Sequence, residues 1–267
     1  QSAIAKGALR PRSPFGASLE SWSEGTAQLY HRETRELQTL AGFDVLDLRR
    51  GLARDLGRFA GAGALAEVML RMAPAAPLTA AFDTYTRALD QLAAARPDQA
   101  DAVAARWLWL LVGVLGFAPQ LAVCVRDGKP VANGGGTGAS SGVAFSTADG
   151  GVLCPACAKS LQPTRLPAGA YRDLLALNDP RADLPALDAA HAAAHRRLLA
   201  RFVRHHLGET RLGAGPGTLR AMDFWERHAW VSSVLPPPPL PPSPASAASE
   251  SAPPATSITA RPRWCAR

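Results

Sequence analysis

The chain has 267 residues, 47% of them hydrophobic and 19% charged, and its 29 Lys and Arg against 22 Asp and Glu give a formal net charge of +7. That apolar content is enough for one large core or two modest ones and excludes wholesale disorder. Four cysteines are too few for a disulfide-dense secreted scaffold, and the basic excess suits a polyanionic partner.

Gln1 to Phe15 carries Lys6, Arg10 and Arg12 among prolines and lacks the apolar stretch of a signal peptide, so a soluble, intracellular protein is expected. The chain opens on Gln1 rather than Met and enters at once Ser2-Ala3-Ile4-Ala5-Lys6, which reads as strand interior. A natural start upstream is therefore expected. From Ala3 to about Leu48 the pattern is short-period: Ala27, Leu29 and His31 alternate with Gln28 and Tyr30, with Pro11, Pro14, Gly16 and Gly25 as punctuation. This predicts two or three short strands, too few for an independently stable sheet, which needs a partner surface or further strands.

At Gly51 the period changes. Leu52, Leu56, Phe59, Leu65, Val68, Leu70 and Met72 mark a helix stopped by Pro74. Thr79 can cap a second, with Phe82, Tyr85, Leu89 and Leu92 inward, and Asp98 or Asp101 opens a third that ends near Gly116. The third is apolar nearly all round through Val103, Trp107, Leu110, Leu111 and Val114, which places it at the centre of a helical domain. Its most apolar run, Trp107 to Ala118, is shorter than the roughly 18 residues that span a bilayer. Val123 to Lys159 is glycine-rich and reads as a ribbon-like insertion. Helix resumes from Ala168 to Leu177. A longer helix runs from about Leu184 to Leu207, with Leu187, His191, Ala194, Leu198, Phe202 and Val203 inward and Gly208 as its stop. Beyond Trp230 the chain is a Pro-, Ser- and Ala-rich tail that cannot build a core. The expected organisation is thus α+β: a β region at 1–48, a helical domain at 49–230 with the insertion at 123–159, and a disordered tail at 231–267.

Within the insertion, Cys154-Pro155-Ala156-Cys157 has the spacing that lets two thiolates share one tetrahedral metal. The complementary half is Cys124-Val125-Arg126-Asp127-Gly128, where Asp127 stands in place of a fourth sulfur. Two readings remain open: a structural zinc held by Cys124, Asp127, Cys154 and Cys157, or a ribbon that folds without metal. No βαβ pattern surrounds the cysteines, which disfavours a thioredoxin-like role, and no HExxH or carboxylate pair supplies a base for catalytic zinc. Asn133 to Gly138 lacks the Gly-Lys-Ser/Thr of a phosphate loop and reads as a hairpin. Gly213 to Gly217 reads as a loop. His191 and His195, four apart, lack a third ligand and read as helix surface or core. No Ser-His-Asp set or nucleophile elbow stands out, so a binding protein is expected rather than an enzyme.

Positive charge gathers in two places. Gln1 to Gly16 holds Lys6, Arg10 and Arg12 and no acid, while Arg196, Arg197, Arg201, Arg204, Arg211 and Arg220 face only Glu209. Such patches neutralise phosphates, and Phe15, Trp22 and Tyr30 are available to stack bases. The first patch is the stronger candidate for DNA contact.

Several segments together resemble the RecO family of recombination and repair mediators: Leu115-Gly116-Phe117-Ala118-Pro119-Gln120-Leu121, then Cys124, Ala144-Phe145-Ser146, Gly150-Gly151 and Cys154-Pro155-Ala156-Cys157. Ala5 to Ser13 resembles the basic strand and turn of that family's N-terminal OB-fold, Arg35 to Leu40 its last strand region, and His206-Leu207-Gly208 its closing motif. The likeness runs from about Ala3 to Phe224. It implies a partial OB-fold, a helical domain and a zinc-finger-like insertion. It also implies binding of single- and double-stranded DNA, annealing of complementary strands, and work with RecR to load RecA onto SSB-coated DNA, in the cytoplasm at the nucleoid and without a membrane. The alternative is a helical protein-interaction module that has lost most DNA binding with a truncated barrel. Two departures stand out: the first barrel strands are absent, and Asp127 replaces the second zinc cysteine.

Overall fold

In the computed structural model, which describes residues 2–8, 10–13, 15–16, 18–131, 142–209 and 219–227, the chain is α+β and its sheets and helices share one compact unit, Gln1–Trp230. The expected hairpin at Asn133 to Gly138, the loop at Gly213 to Gly217, Arg211 and the tail from 231 to 267 lie outside the described residues.

The short-period region forms β1 (Ser2–Ile4), β2 (Glu24–Tyr30) and β3 (Leu37–Asp47), in the order β1-β3-β2. β2 runs antiparallel to β3 with register shifts at Glu24/Gly25 and Gln28/Leu29, and β1 lies parallel to β3 over Leu37 to Thr39. Strand β1 stops at Ile4. The described residues from Lys6 to Arg12 turn and bend where a basic strand and turn is expected, with Gly7 at φ 76° and Arg12 at φ 64°. Proline at 11 has no amide proton to give a ladder, and the left-handed backbone at its neighbour turns the chain instead.

Arg49 joins this sheet to the helices. Its backbone is left-handed (φ 43°), and its buried guanidinium bonds Glu24 of β2, the Trp22 carbonyl at 3.0 Å and Asp90 at 2.7 Å. Burial opposes the charge, but Asp90 and Glu24 outweigh it and raise the Arg49 pKa above its ordinary value. Trp22 packs edge-on against Phe59, with ring centroids 5.1 Å apart. Trp22 therefore belongs to the junction and Phe15 is buried, which leaves Tyr30 as the exposed member of the three aromatics proposed for stacking.

A 3-10 turn (Arg50–Arg54) leads into α1 (Leu56–Met72), capped by Asp55, whose carboxylate accepts the Arg58 amide at 3.1 Å. α2 (Thr79–Ala94) and α3 (Ala100–Val112) follow. Thr79 is the first residue of α2 and not its cap; that position falls to Leu78, without a side-chain bond. As expected, α3 is central, and it ends in a π-turn closed by Gly116 at φ 98°. The helical segment Pro97–Phe117 is 21 residues long with mean hydropathy 1.5, long and apolar enough to cross a membrane. Here it is a core helix: α1, α2, α5 (Ala168–Leu177) and α6 (Ala189–Glu209) pack around it, and Asp101 within it forms a buried ion pair with Arg196 of α6.

The inward faces match the expected ones only in part: Leu52, Leu65, Val68, Leu89, Leu92, Leu198, Phe202 and Val203 are buried as expected. In α1 the buried residues include Gly57, Ala60, Gly61, Ala62 and Ala64 with Leu65 and Val68, whereas Leu56, Phe59 and Leu70 are exposed. In α2, Ala81 and Ala88 are buried beside Leu89 and Leu92 while Phe82 is exposed. Small residues take the closest approach between helices because they let the backbones come together. α6 starts at Ala189, five residues later than expected, and it buries Ala192, His195, Arg196, Leu198, Phe202 and Val203 while His191 and Ala194 face out. α7 (Arg220–Arg227) lies on α1, and Glu67 of α1 accepts the Met222 amide at 2.8 Å, supplying the cap that α7 lacks.

Between α3 and α5 lies the second sheet: β4 (Gly142–Ser146), β5 (Gly151–Leu153) and β6 (Thr164–Pro167), all antiparallel in the order β5-β4-β6, with the short α4 (Pro155–Ala158) after β5. Its third strand lies beyond Lys159 and leads straight into α5.

Gly61 tests the close packing. A Cβ there would stand 2.8 Å from the Ala104 Cβ and 3.1 Å from Leu92, whereas at Gly63 it would meet Ala221 at 3.5 Å. Gly61→Ala should destabilise the fold by about 1–3 kcal/mol through overpacking. Gly63→Ala should stabilise it by up to about 1 kcal/mol through helix propensity. Urea melts of the two variants give the comparison.

Candidate functional site

Strand alternation gives the second sheet two buried faces. Val143, Phe145, Val152 and Leu166 join the helical core, while Ala144 and Leu153 turn the other way, toward Cys124, Cys154 and Ala158. The loop carrying Cys124 is stitched to β5 by three backbone bonds: Gln120 amide to Gly150 carbonyl (2.9 Å), Val152 amide to Gln120 carbonyl (2.9 Å) and Val125 amide to Val152 carbonyl (3.0 Å). Gly151 is required there, since a Cβ would come within 2.2 Å of the Gln120 carbonyl oxygen.

Two turns then aim their side chains at one point. In the first, the Gly128 amide donates to the Cys124 carbonyl (2.9 Å) and the Cys124 amide to the Lys129 carbonyl (2.8 Å), with Gly128 in the left-handed region at φ 70°. In the second, Cys154 caps α4, its sulfur accepting the Cys157 amide at 3.5 Å, and Pro155 begins the helix. The ligand atoms of Cys124, Asp127, Cys154 and Cys157 lie within 4.8 Å of one another. Cys124 and Cys154 are buried, Cys157 is half-buried, and Asp127 stands at the outer corner.

The electrostatics favour a cation. Hydrogen bonding from Cys124 above all, with the Lys129 amide, Cys154 and the Lys129 ammonium (3.2 Å) adding to it, holds the Asp127 carboxyl well below the usual carboxylate range against the cost of desolvation. Burial opposes ionisation of Cys124, but the amides of Cys154, Arg126 and Asp127 outweigh it and its thiol is lowered. Cys157 moves the other way: hydrogen bonding with Cys154 and desolvation push its thiol up to about 12. The two thiols are thus pushed in opposite directions, and the charges of Asp127 and Cys124 add to what opposes ionisation of Cys157. A divalent cation removes that barrier, because its charge stabilises every thiolate at once. Three sulfurs and one carboxylate oxygen within 4.8 Å of one another are a donor set that zinc takes, and four protein ligands would leave no open coordination position, which is the pattern of a structural site. These four residues are the candidate metal centre, and bound zinc would tie the two turns together.

The candidate DNA-contacting residues lie on the turns after β1. Lys6, Arg10 and Arg12 are all exposed, and the Arg10 stem folds back to 3.5 Å from the Cβ position of Gly7. Lys6 shares a cleft with Arg32 and Arg35, which the sequence reading did not single out. Their signal was the HRETRE run between two strands. Arg10 and Arg12 do not line that cleft. The arginine cluster of α6 is largely engaged in structure: Arg196 pairs with Asp101, Arg204 with Asp223 (2.6 Å) and Glu226, and Arg201 donates to Thr164 at 3.0 Å. Arg197 and Arg220 remain exposed. His191 pairs with Asp188 at 2.7 Å, and buried His195 lies 4.0 Å from Asp173, so the two histidines serve different neighbours.

Residues 53–215 match the family model described as Recombination protein O C terminal. The protein named DNA repair protein RecO from Anaeromyxobacter sp. (strain K) is 35% identical over 217 residues, covering 78% of this chain and 80% of its own length. Proteins of the same name from Rubrobacter xylanophilus and Symbiobacterium thermophilum are 32% and 33% identical over 211 and 207 residues, covering 77% and 75% of this chain and 78% of each relative.

Protein purified without chelator should carry about one zinc per chain, and Asp127→Ala should raise the zinc Kd by roughly tenfold or more. Metal analysis and competition with a zinc-binding dye measure both. A zinc content near zero, with melting unchanged by chelator, would show that the ribbon stands without metal.

Proposed function

This chain belongs to the RecO family, and from that premise we propose that it is a nucleic-acid-binding mediator of DNA repair and recombination rather than an enzyme. In this reading the chain binds single- and double-stranded DNA, anneals complementary strands and helps RecR load RecA onto DNA covered by SSB, in the cytoplasm at the nucleoid. The first sheet and its turns, at 1–48, form the DNA-binding part as a partial OB-fold. The helical part, at 49–230, carries protein partners, and the metal ribbon keeps its shape.

The observation that carries this reading is a contrast in how the cations are used. Arg49, Arg96, Arg126, Arg196 and Arg204 each pair with a carboxylate. Lys6, Arg10 and Arg12 are exposed, and among the described residues none of them is hydrogen-bonded or ion-paired to an acid. Unneutralised cations on one surface attract phosphates and release their counterions, a sequence-independent term that weakens with salt. The left-handed backbone of Arg12 beside Pro11 fixes the turn, so the charges sit on a shaped surface rather than on a loose arm.

Replacing Arg10 and Arg12 together by alanine should weaken binding of unrelated single strands to a similar extent. It should also flatten the slope of log affinity against log salt by about 0.7 for each lost contact. Fluorescence anisotropy across a salt series measures this. A double variant with unchanged affinity and slope would remove these arginines from the DNA surface. A wild-type chain that binds RecR but no DNA would favour the helical interaction module instead.

A further inference from the structure

A cleft of about 220 Å³ opens at the end of the first sheet, beside the turn that joins β2 to β3. Lys6 comes to it from the turn after β1, Arg32 and Arg35 from the joining turn, and Tyr30 from the last position of β2; Leu37, Gln38 and Thr39 of β3 complete it. Glu33 and Glu36 belong to the same joining turn but do not line the cleft. Among the described residues, Lys6, Arg32 and Arg35 form no ion pair with a carboxylate, and all three are exposed. Tyr30 is 69% exposed.

The turn that presents the two arginines is held from below. Gln38 is 1% exposed, and its side chain is fully engaged by that turn. Its Oε1 accepts the Arg32 amide at 2.8 Å, and its Nε2 donates to the Arg32 carbonyl at 3.0 Å and to the Arg35 carbonyl. The Arg35 amide closes the turn on the Arg32 carbonyl at 3.1 Å. A buried amide that satisfies three backbone groups fixes where the guanidinium stems begin, so little backbone ordering remains to be done when an anion arrives.

We propose that this cleft is a subsite for one backbone phosphate of a single-stranded nucleic acid, with Tyr30 stacking the adjoining base and thereby favouring single strands over duplex. The proposal rests on the nucleic-acid reading above and adds the residues that discriminate. Lys6, Arg32 and Arg35 offer donors to phosphate oxygens, which single strands and duplexes both present. An exposed aromatic ring beside them offers something a duplex cannot use, because paired bases are already stacked on one another while an unpaired base has a free face. The cations set affinity for both forms. The ring sets the difference between them.

The test uses the full chain and three labelled probes of equal length: an oligo-dT strand, the same strand made abasic, and a duplex. Tyr30→Ala should weaken oligo-dT binding by about tenfold and leave the abasic strand and the duplex within twofold. Tyr30→Phe, which keeps the ring face and loses the hydroxyl, should restore oligo-dT binding. Arg32→Ala with Arg35→Ala should weaken all three probes and flatten their salt slopes. Equal losses on oligo-dT and abasic strands for Tyr30→Ala, or no loss on either, would overturn the stacking subsite while leaving DNA binding intact. Absence of salt-dependent binding by the wild-type chain would instead overturn the nucleic-acid reading itself. Tyr30 is exposed at a strand end, so its variants should melt like the wild type, and a thermal melt of each confirms that the comparison is between folded proteins.

Discussion

The buried guanidinium of Arg49 is the point through which sheet and helices act as one body. The first sheet has little core of its own, with Ile4, Leu37 and Leu46 exposed. What orients it is this cation, reaching Glu24 on the sheet side, Asp90 on the helix side and the Trp22 carbonyl between them, together with Trp22 packed on Phe59. Breaking a buried pair by removing one partner typically costs about 3–5 kcal/mol, and the partial exposure of Glu24 and Asp90 places this pair at the low end of that range or below it. The left-handed backbones of Arg49 and Trp22 are two local costs accepted at the same junction.

The ribbon that carries the candidate metal centre is tied into the body in a different way. Its central strand places Phe145 and Val143 in the helical core, where Phe145 lies 6.2 Å from Phe202, and places Ala144 against the cysteines. The candidate metal centre is thus linked through this strand to the packing of α6. Cys124 also lines a cavity of about 550 Å³ with Phe117, Phe202 and His206, so the floor of one site is the wall of the other. The Tyr171 hydroxyl donates to the Leu121 carbonyl and fastens the same loop to α5. The ribbon is thus a wall of the helical core and not an appendage, and this explains how a site with one carboxylate in place of sulfur retains its geometry.

Charge in this protein divides by role more than by sequence neighbourhood. Arg196 and Arg204 sit in the densest arginine run of the chain, yet one is buried against Asp101 and the other clasps α6 to Asp223 and Glu226 of α7. Three cations at the start of the chain, in a sparser run, remain unengaged. Arg32 and Arg35 show the same rule from the other side. In sequence each sits next to a glutamate, but the Gln38-held turn places both arginines, and neither glutamate, along the cleft.

The sequence by itself determined the order and type of the main elements, because hydrophobic period is a local property: short-period strands before Leu48, helices after Gly51, and a central apolar helix ending near Gly116. It also pointed to the candidate metal cluster, since each of the two knuckle spacings, one with its turn glycine, is local. Tertiary structure decided which face of each helix turns inward. Large side chains at Leu56, Phe59, Leu70 and Phe82 suggest a core face, but the closest helix contacts require the small residues on the opposite side, and nothing local encodes how near a neighbour will come. Tertiary structure likewise decided which arginines are free. An ion pair such as Asp101 with Arg196 spans 95 positions, and the energy that selects it exists only once α3 and α6 have packed.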